Sequence, residues 1–224
     1  MDKNIPGKQD PQLISYITLR KAVGILAILF PLIIVVGSLI FGGCNEIQSN
    51  LSYYYHTRMR DVFVGILCAI ALFLFAYNGY NRLDAIAGNI ACVLALLIAF
   101  FPTSVTETVT PCILASYENE ISSSIHFFSA GGFFLLMAYF SIFLFTKKEP
   151  RPTKMKLKRN MLYRICGYII LGCVFLMAVI FALEKFNYGQ NLQKLNPILW
   201  LETLTLWAFG VSWLVKGNTI MKDK

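Results

Sequence analysis

The chain has 224 residues, of which 57% are hydrophobic and 14% charged, with a formal net charge of +8. A soluble domain carries about a quarter charged residues, so a soluble globular fold is excluded. The apolar residues run in blocks rather than in alternation. That excludes a transmembrane β-barrel and leaves α-helices, whose backbone polar groups are satisfied within the segment.

Six blocks are each about long enough to cross the hydrocarbon as a helix: residues 22–43, 62–80, 85–101, 125–145, 165–183 and 198–215. They predict an all-α polytopic membrane protein, a single six-transmembrane-helix domain over 22–216. It lies between an N-terminal tail or interfacial segment, 1–21, and a short tail, 217–224. Gln12–Leu19 reads as a short interfacial helix. The first block contains Pro31, which predicts a kink. Its sequel Gly42-Gly43-Cys44 resembles a bacterial lipoprotein cleavage box, but the apolar stretch is too long and the cysteine too far along. This block is therefore expected to be kept as a spanning anchor. The short link between the second and third blocks makes those helices antiparallel neighbours, whereas the link over 102–124 is long and acidic.

Charge orients the bundle. With the N-terminus in the cytoplasm, sixteen of the twenty basic residues fall on inner segments, among them a run of eight from Lys147 to Arg164. The outer segments keep Arg58, Arg60, Lys185 and Lys194. This is the positive-inside pattern, and it predicts that both termini are cytoplasmic. The basic run is read as lying against anionic lipid, so the positive charge implies membrane lipids and no nucleic acid as partners. Of the six cysteines, Cys68, Cys92, Cys166 and Cys173 lie inside apolar blocks and read as packing residues. Cys44 and Cys112 share the outer side, where a disulfide is chemically permitted.

The residues that can carry chemistry also fall on the outer side. His56 and His126 are the two histidines of the chain, and Glu202 is a carboxylate within a long apolar run. An ionisable group in hydrocarbon costs about 2.5 kcal/mol or more and marks a functional site by default. If the second helix begins early, Ser52, His56 and Arg60 share one face at i, i+4 and i+8, with Asp61 beside it. The alternative is an interfacial anchor of tyrosines and snorkelling arginines. Ser122, His126 and Ser129 form a polar stripe on the fourth helix, and Gly131-Gly132 after it predicts close approach of another backbone. Glu202, a turn after Asn196-Pro197, needs a partner, for which Arg58, Arg60 and His126 are candidates. His56, His126, Asp61 and Glu202 make a possible ligand set for zinc, with one position left to water. The same rim, through Ser52, Arg58 and Arg60, can instead bind an anionic or polar head group, with a histidine as acid or base.

Tyr54-Tyr55-His56-Thr57, Arg60-Asp61-Val62-Phe63-Val64-Gly65, Phe101-Pro102-Thr103 and His126 resemble an uncharacterised group of bacterial six-helix membrane proteins. That resemblance implies the fold and a bacterial inner-membrane location, and no activity. The plan is also similar in topology to the DRAM-type membrane proteins. Ser52 and His56 match the first element, Ser-x-x-x-His, of the membrane hydrolases that include alkaline ceramidases and adiponectin receptors. Asp61 comes too soon for their second element, and their His-x-x-x-His is missing. Three functions stay open: a non-catalytic membrane protein whose rim binds a lipid head group, a metal-dependent lipid hydrolase, and a proton-coupled transporter using Glu202 and His126. Inverted repeats and broken mid-depth helices, usual in transporters, are not apparent in the sequence beyond Pro31.

Overall fold

The computed structural model describes residues 11–77, 82–106, 109–147, 152–186 and 194–221. Among these, six long helices form: α1 (Pro11–Ile40), α2 (Arg60–Phe75), α3 (Arg82–Phe100), α4 (Glu120–Tyr139), α5 (Lys154–Lys185) and α6 (Pro197–Lys216). A π-helical turn, Phe140–Leu144, extends α4, and a 3-10 helix, Leu51–His56, precedes α2. Five helices are long and apolar enough to cross a membrane, whereas α2 has 16 residues and is shorter than such a span. The fold is all-helical, and its apolar helices are those of a multi-pass membrane protein.

Helix ends differ from the apolar blocks for a local reason. Asn119 accepts the Ser122 N–H at 2.9 Å, so α4 starts at Glu120, five residues before its apolar block. Thr153 accepts the Lys156 N–H at 3.1 Å, and the basic residues from Lys154 to Arg164 become the first turns of α5. Side-chain caps of this kind satisfy orphan N–H groups whatever the hydropathy of the residues that follow. At the N-terminus no separate interfacial helix forms, because α1 runs from Pro11 to Ile40 and passes through Pro31.

Consecutive helices pack side by side, and α6 returns to α1 and closes the ring. At the α1–α6 seam a Cβ on Gly24 would lie 2.9 Å from the Gly210 carbonyl oxygen, and one on Gly210 would lie 2.8 Å from that of Gly24. Only glycine at both positions permits this backbone contact, the small-residue packing that substitutes for a hydrophobic drive in lipid. Trp213 anchors the core, with ring centroids of Tyr77, Phe145, Phe209 and Phe140 at 5.1, 5.4, 5.7 and 5.9 Å. At this end Asp84, fully buried at the start of α3, pairs with Lys147 beyond α4, and Lys216 lies 5.4 Å over the Phe145 ring.

The opposite end carries a cap of non-helical chain. A disulfide joins Cys44, after α1, to Cys112, in the link between α3 and α4. Val105 and Tyr117 exchange two backbone hydrogen bonds, of 2.7 and 2.8 Å, and Val105, Ile113 and the two half-cystines form a small apolar cluster apart from the main core. Alkylation of the denatured, unreduced chain is expected to modify Cys68, Cys92, Cys166 and Cys173 and to spare Cys44 and Cys112; six adducts by mass would contradict the bridge. Cys44→Ser should lower stability by about 2–4 kcal/mol, the usual worth of a disulfide, read as a fall in melting temperature.

Candidate functional site

Three side chains and one turn of backbone organise the cap against the helix ends. The 3-10 helix Leu51–His56 is capped by Asn50, which accepts the Tyr53 N–H at 2.9 Å. Its first N–H, on Leu51, points to α6, where Glu202 Oε2 accepts it at 2.7 Å. The next residue, Ser52, meets α4: its Oγ lies 2.7 Å from His126 Nε2. The other ring nitrogen of His126, Nδ1, lies 2.8 Å from the carbonyl oxygen of Phe101 at the end of α3. A carbonyl only accepts, so Nδ1 carries the hydrogen. In the neutral ring Nε2 is then the acceptor, and the Ser52 hydroxyl donates to it. Ser122 holds the same loop from below, its Oγ donating to the Pro102 carbonyl at 2.8 Å.

His56 lies on the other side of the 3-10 helix and is buried. Its Nε2 donates to the Thr103 carbonyl at 2.8 Å, and its own carbonyl accepts from the Leu114 N–H at 3.0 Å. Burial pushes the His56 pKa below its ordinary value; the Thr103 bond acts in the opposite sense, and the Arg60 charge adds to the lowering.

Between α4 and α5 a cavity of about 730 Å³ opens beneath this cap. Its polar end is made by Ser49, Asn50, Ser52, Thr103, Ser104, Ser123, His126, Asn196 and Glu202. Its walls are apolar: Phe127, Phe134 and Gly131 of α4 face Val174, Met177 and Phe181 of α5. Thr103 Oγ1, on the polar end, is buried and has no hydrogen-bond partner among the described residues.

The expected rim of seven residues therefore divides. Ser52, His126 and Glu202 line the cavity. Arg58, Arg60 and Asp61 are exposed and lie outside that lining, and Arg60 donates instead to the Tyr55 hydroxyl at 2.9 Å. The shared face of Ser52, His56 and Arg60 does not form. A 3-10 helix turns every three residues, and the chain then runs extended at Thr57, with ψ 178°, before α2 starts at Arg60. The Glu202 carboxylate is met instead by the Leu51 main-chain N–H. Among the described residues, no three His, Cys, Asp or Glu side chains gather as a metal ion requires, so the zinc set of His56, His126, Asp61 and Glu202 is not assembled. A Cβ on Gly131 would meet nothing within 4 Å, so this glycine widens the cavity rather than receiving another backbone. Thr103 and the Phe101 carbonyl were not identified as site groups from the sequence; the Phe-Pro-Thr turn after an apolar block was the available signal.

The geometry defines a multi-pass helical membrane protein with an amphipathic cavity under one end of its bundle. Comparisons of the chain with protein-family models, curated proteins and solved structures find no match, so the function is argued from this geometry.

Two expectations follow. The His56 ring has an ordinary pKa of about 6.5 when unfolded and a lower one when folded. Its contribution to stability is complete above pH 6.5 and is lost as pH falls through the folded value. Melting temperature should fall between pH 7 and pH 5, and His56→Gln should reduce that slope; an unchanged slope would assign it elsewhere. Glu202→Leu leaves the Leu51 N–H without its acceptor and should cost about 1–3 kcal/mol, whereas Glu202→Gln, which can still accept, should cost less.

Proposed function

We propose that this protein spans the membrane six times, with both termini in the cytoplasm, and holds a lipid or lipid-like amphiphile in the cavity at the outer leaflet. The observation that carries this reading is the cavity itself, with hydroxyls, an imidazole and a carboxylate at one end and aromatic and aliphatic walls below. A volume of about 730 Å³ falls in the range of about 300–1,000 Å³ typical of small-molecule sites. A polar head fits against Ser52, His126 and Glu202, and an acyl chain fits between α4 and α5.

Topology supports the assignment. The Cys44–Cys112 bond needs an oxidising compartment, and the basic start of α5 and end of α6 lie at the opposite end of the bundle. With the cap outside and the basic end inside, the positive-inside rule is met. α2 then crosses as the second of six spans, its 16 residues covering about 24 Å. The likeness of the sequence to bacterial six-helix proteins suggests the inner membrane.

The head group is better matched as polar or cationic than as anionic. Among the described residues the lining holds two carboxylates, Glu184 and Glu202, and no lysine or arginine. The exposed Arg58 and Arg60 suit phospholipid head groups around the protein rather than the bound ligand.

Gly131→Phe fills the empty space beside Gly131 without meeting protein atoms at its Cβ. Lipid extracted from the detergent-purified protein and quantified by mass spectrometry should show about one amphiphile per chain. The Gly131→Phe protein, folded and thermally stable, should lose at least about tenfold of it, the loss expected for about 1.4 kcal/mol of blocked contact. Retention of the same lipid at the same level by both proteins would sink the reading.

A further inference from the structure

The polar end of the cavity contains more than a head-group site needs. Ser52 and His126 come from separate elements, 74 residues apart, and meet at 2.7 Å. His126 is 2% exposed, and its ring is oriented from behind by the Phe101 carbonyl at 2.8 Å. A hydroxyl donating to a neutral imidazole, whose far N–H is held by an acceptor, is the arrangement that activates a serine nucleophile. A backbone carbonyl takes the place of the carboxylate here. That placement fixes the tautomer without adding a charge, as suits a buried ring. Thr103, which lines the same cavity, has a buried hydroxyl with no partner among the described residues. Ser52 and His126 both line the amphiphile cavity, so the pair faces the space where a head group meets its chain.

We infer that Ser52 and His126 are a nucleophile–base pair and that this protein cleaves carboxylic esters of the amphiphile it binds. The inference rests on the amphiphile-binding reading above. Ser52 Oγ bonds to the ester carbonyl carbon while its proton passes to His126 Nε2. The carbonyl oxygen becomes an oxyanion, to which Thr103 Oγ1 is the hydroxyl we assign. As the intermediate collapses, the bond from carbon to the alcohol oxygen breaks, and the imidazolium returns the proton to the departing alcohol. The acyl group remains on Ser52. Water from the outer face attacks that acyl carbon and gives a proton to His126, which passes it to Ser52 Oγ as the carboxylic acid leaves. Ester and water become acid and alcohol, with no change of oxidation state. Glu202 is a positioning residue: by accepting the N–H of Leu51 it holds the residue before the nucleophile against α6.

The test uses the full-length protein in detergent micelles and a fluorophosphonate bearing a decyl chain, which phosphonylates an activated serine with loss of fluoride. The adduct should map to Ser52, be absent in Ser52→Ala, and form about 100-fold more slowly in His126→Gln, the scale of a lost general base. The amide introduced by His126→Gln can still accept from Ser52 and donate to Phe101, so the contact survives while the base does not. Turnover of p-nitrophenyl decanoate should fall by the same factor, and by about 100-fold in Thr103→Val, the scale of a lost oxyanion donor. The wild type should bind radiolabelled 1-O-hexadecylglycerol, an ether that cannot be hydrolysed. Binding of the ether by the wild type without adduct or turnover overturns the esterase and leaves the binding site standing. Labelling of Ser52 at equal rates in wild type and His126→Gln also overturns it, as a serine that is merely exposed. Failure of the wild type to bind the ether overturns both readings. The wild-type adduct needs no variant, and each variant is read alongside its melting temperature.

Discussion

Main-chain polar groups that leave a helix at a membrane boundary must find partners before they meet hydrocarbon. The capped end of this bundle is built around that requirement. The loops after α1 and α3 meet the 3-10 helix there, and side chains of the helices supply what the loops lack. Glu202 takes the Leu51 N–H, His56 reaches the Thr103 carbonyl, Ser122 the Pro102 carbonyl and His126 the Phe101 carbonyl. These polar residues in and beside the apolar blocks are therefore tied first to backbone. Their presence in the membrane domain has a structural reason before any functional one, and a chemical role must be argued from geometry beyond those ties.

That geometry separates two histidines which look alike in sequence. His56 spends its Nε2 on Thr103 and is packed between Tyr55 and Tyr117, with ring centroids at 5.4 and 6.0 Å. It acts as a rivet between the 3-10 helix and the loop after α3. His126 spends one nitrogen on Phe101 and turns the other toward Ser52 and the cavity. The His126 ring thus joins α4 to two other elements, one through each nitrogen.

Much of the architecture was legible in the sequence because hydropathy reports directly on burial in lipid. Each of the six apolar blocks holds one helix, and Ser122, His126 and Ser129, read as one stripe, are all buried on α4. Helix starts were less legible, since Asn119 and Thr153 are polar residues set apart from the apolar blocks they cap. The site was legible only as a depth. Membership of an outer segment says how far a residue lies from the membrane centre and nothing about the direction its side chain faces. Arg58, Arg60 and Asp61 follow Ser52 closely in the chain, yet they are exposed and lie outside the cavity lining. The pairings that build the site join residues 74 and 151 positions apart, and no local spacing encodes them. Cys44 and Cys112 were a partial exception, because a shared compartment and two free thiols reduced the choice of partner to one.

The cavity and the cap constrain one another. Between α4 and α5 Gly131 lines the cavity, and Phe127 and Phe181 stack edge to face at 5.6 Å along it. At the polar end the Ser123 hydroxyl donates to that of Ser104 at 2.9 Å. The disulfide keeps the loop that carries Thr103 and Ser104 attached to the end of α1, and Glu202 keeps the 3-10 helix on α6. Ser52 is thus tied to α4 through His126 and, by way of Leu51, to α6 through Glu202. Such pre-organisation matters most for a reacting pair, because misplacement of about 1 Å costs about a hundredfold in rate, whereas a simple head-group site tolerates looser walls. On the proposed esterase reading, the ties of the cap to α4 and α6 supply the pre-organisation that a reacting pair needs.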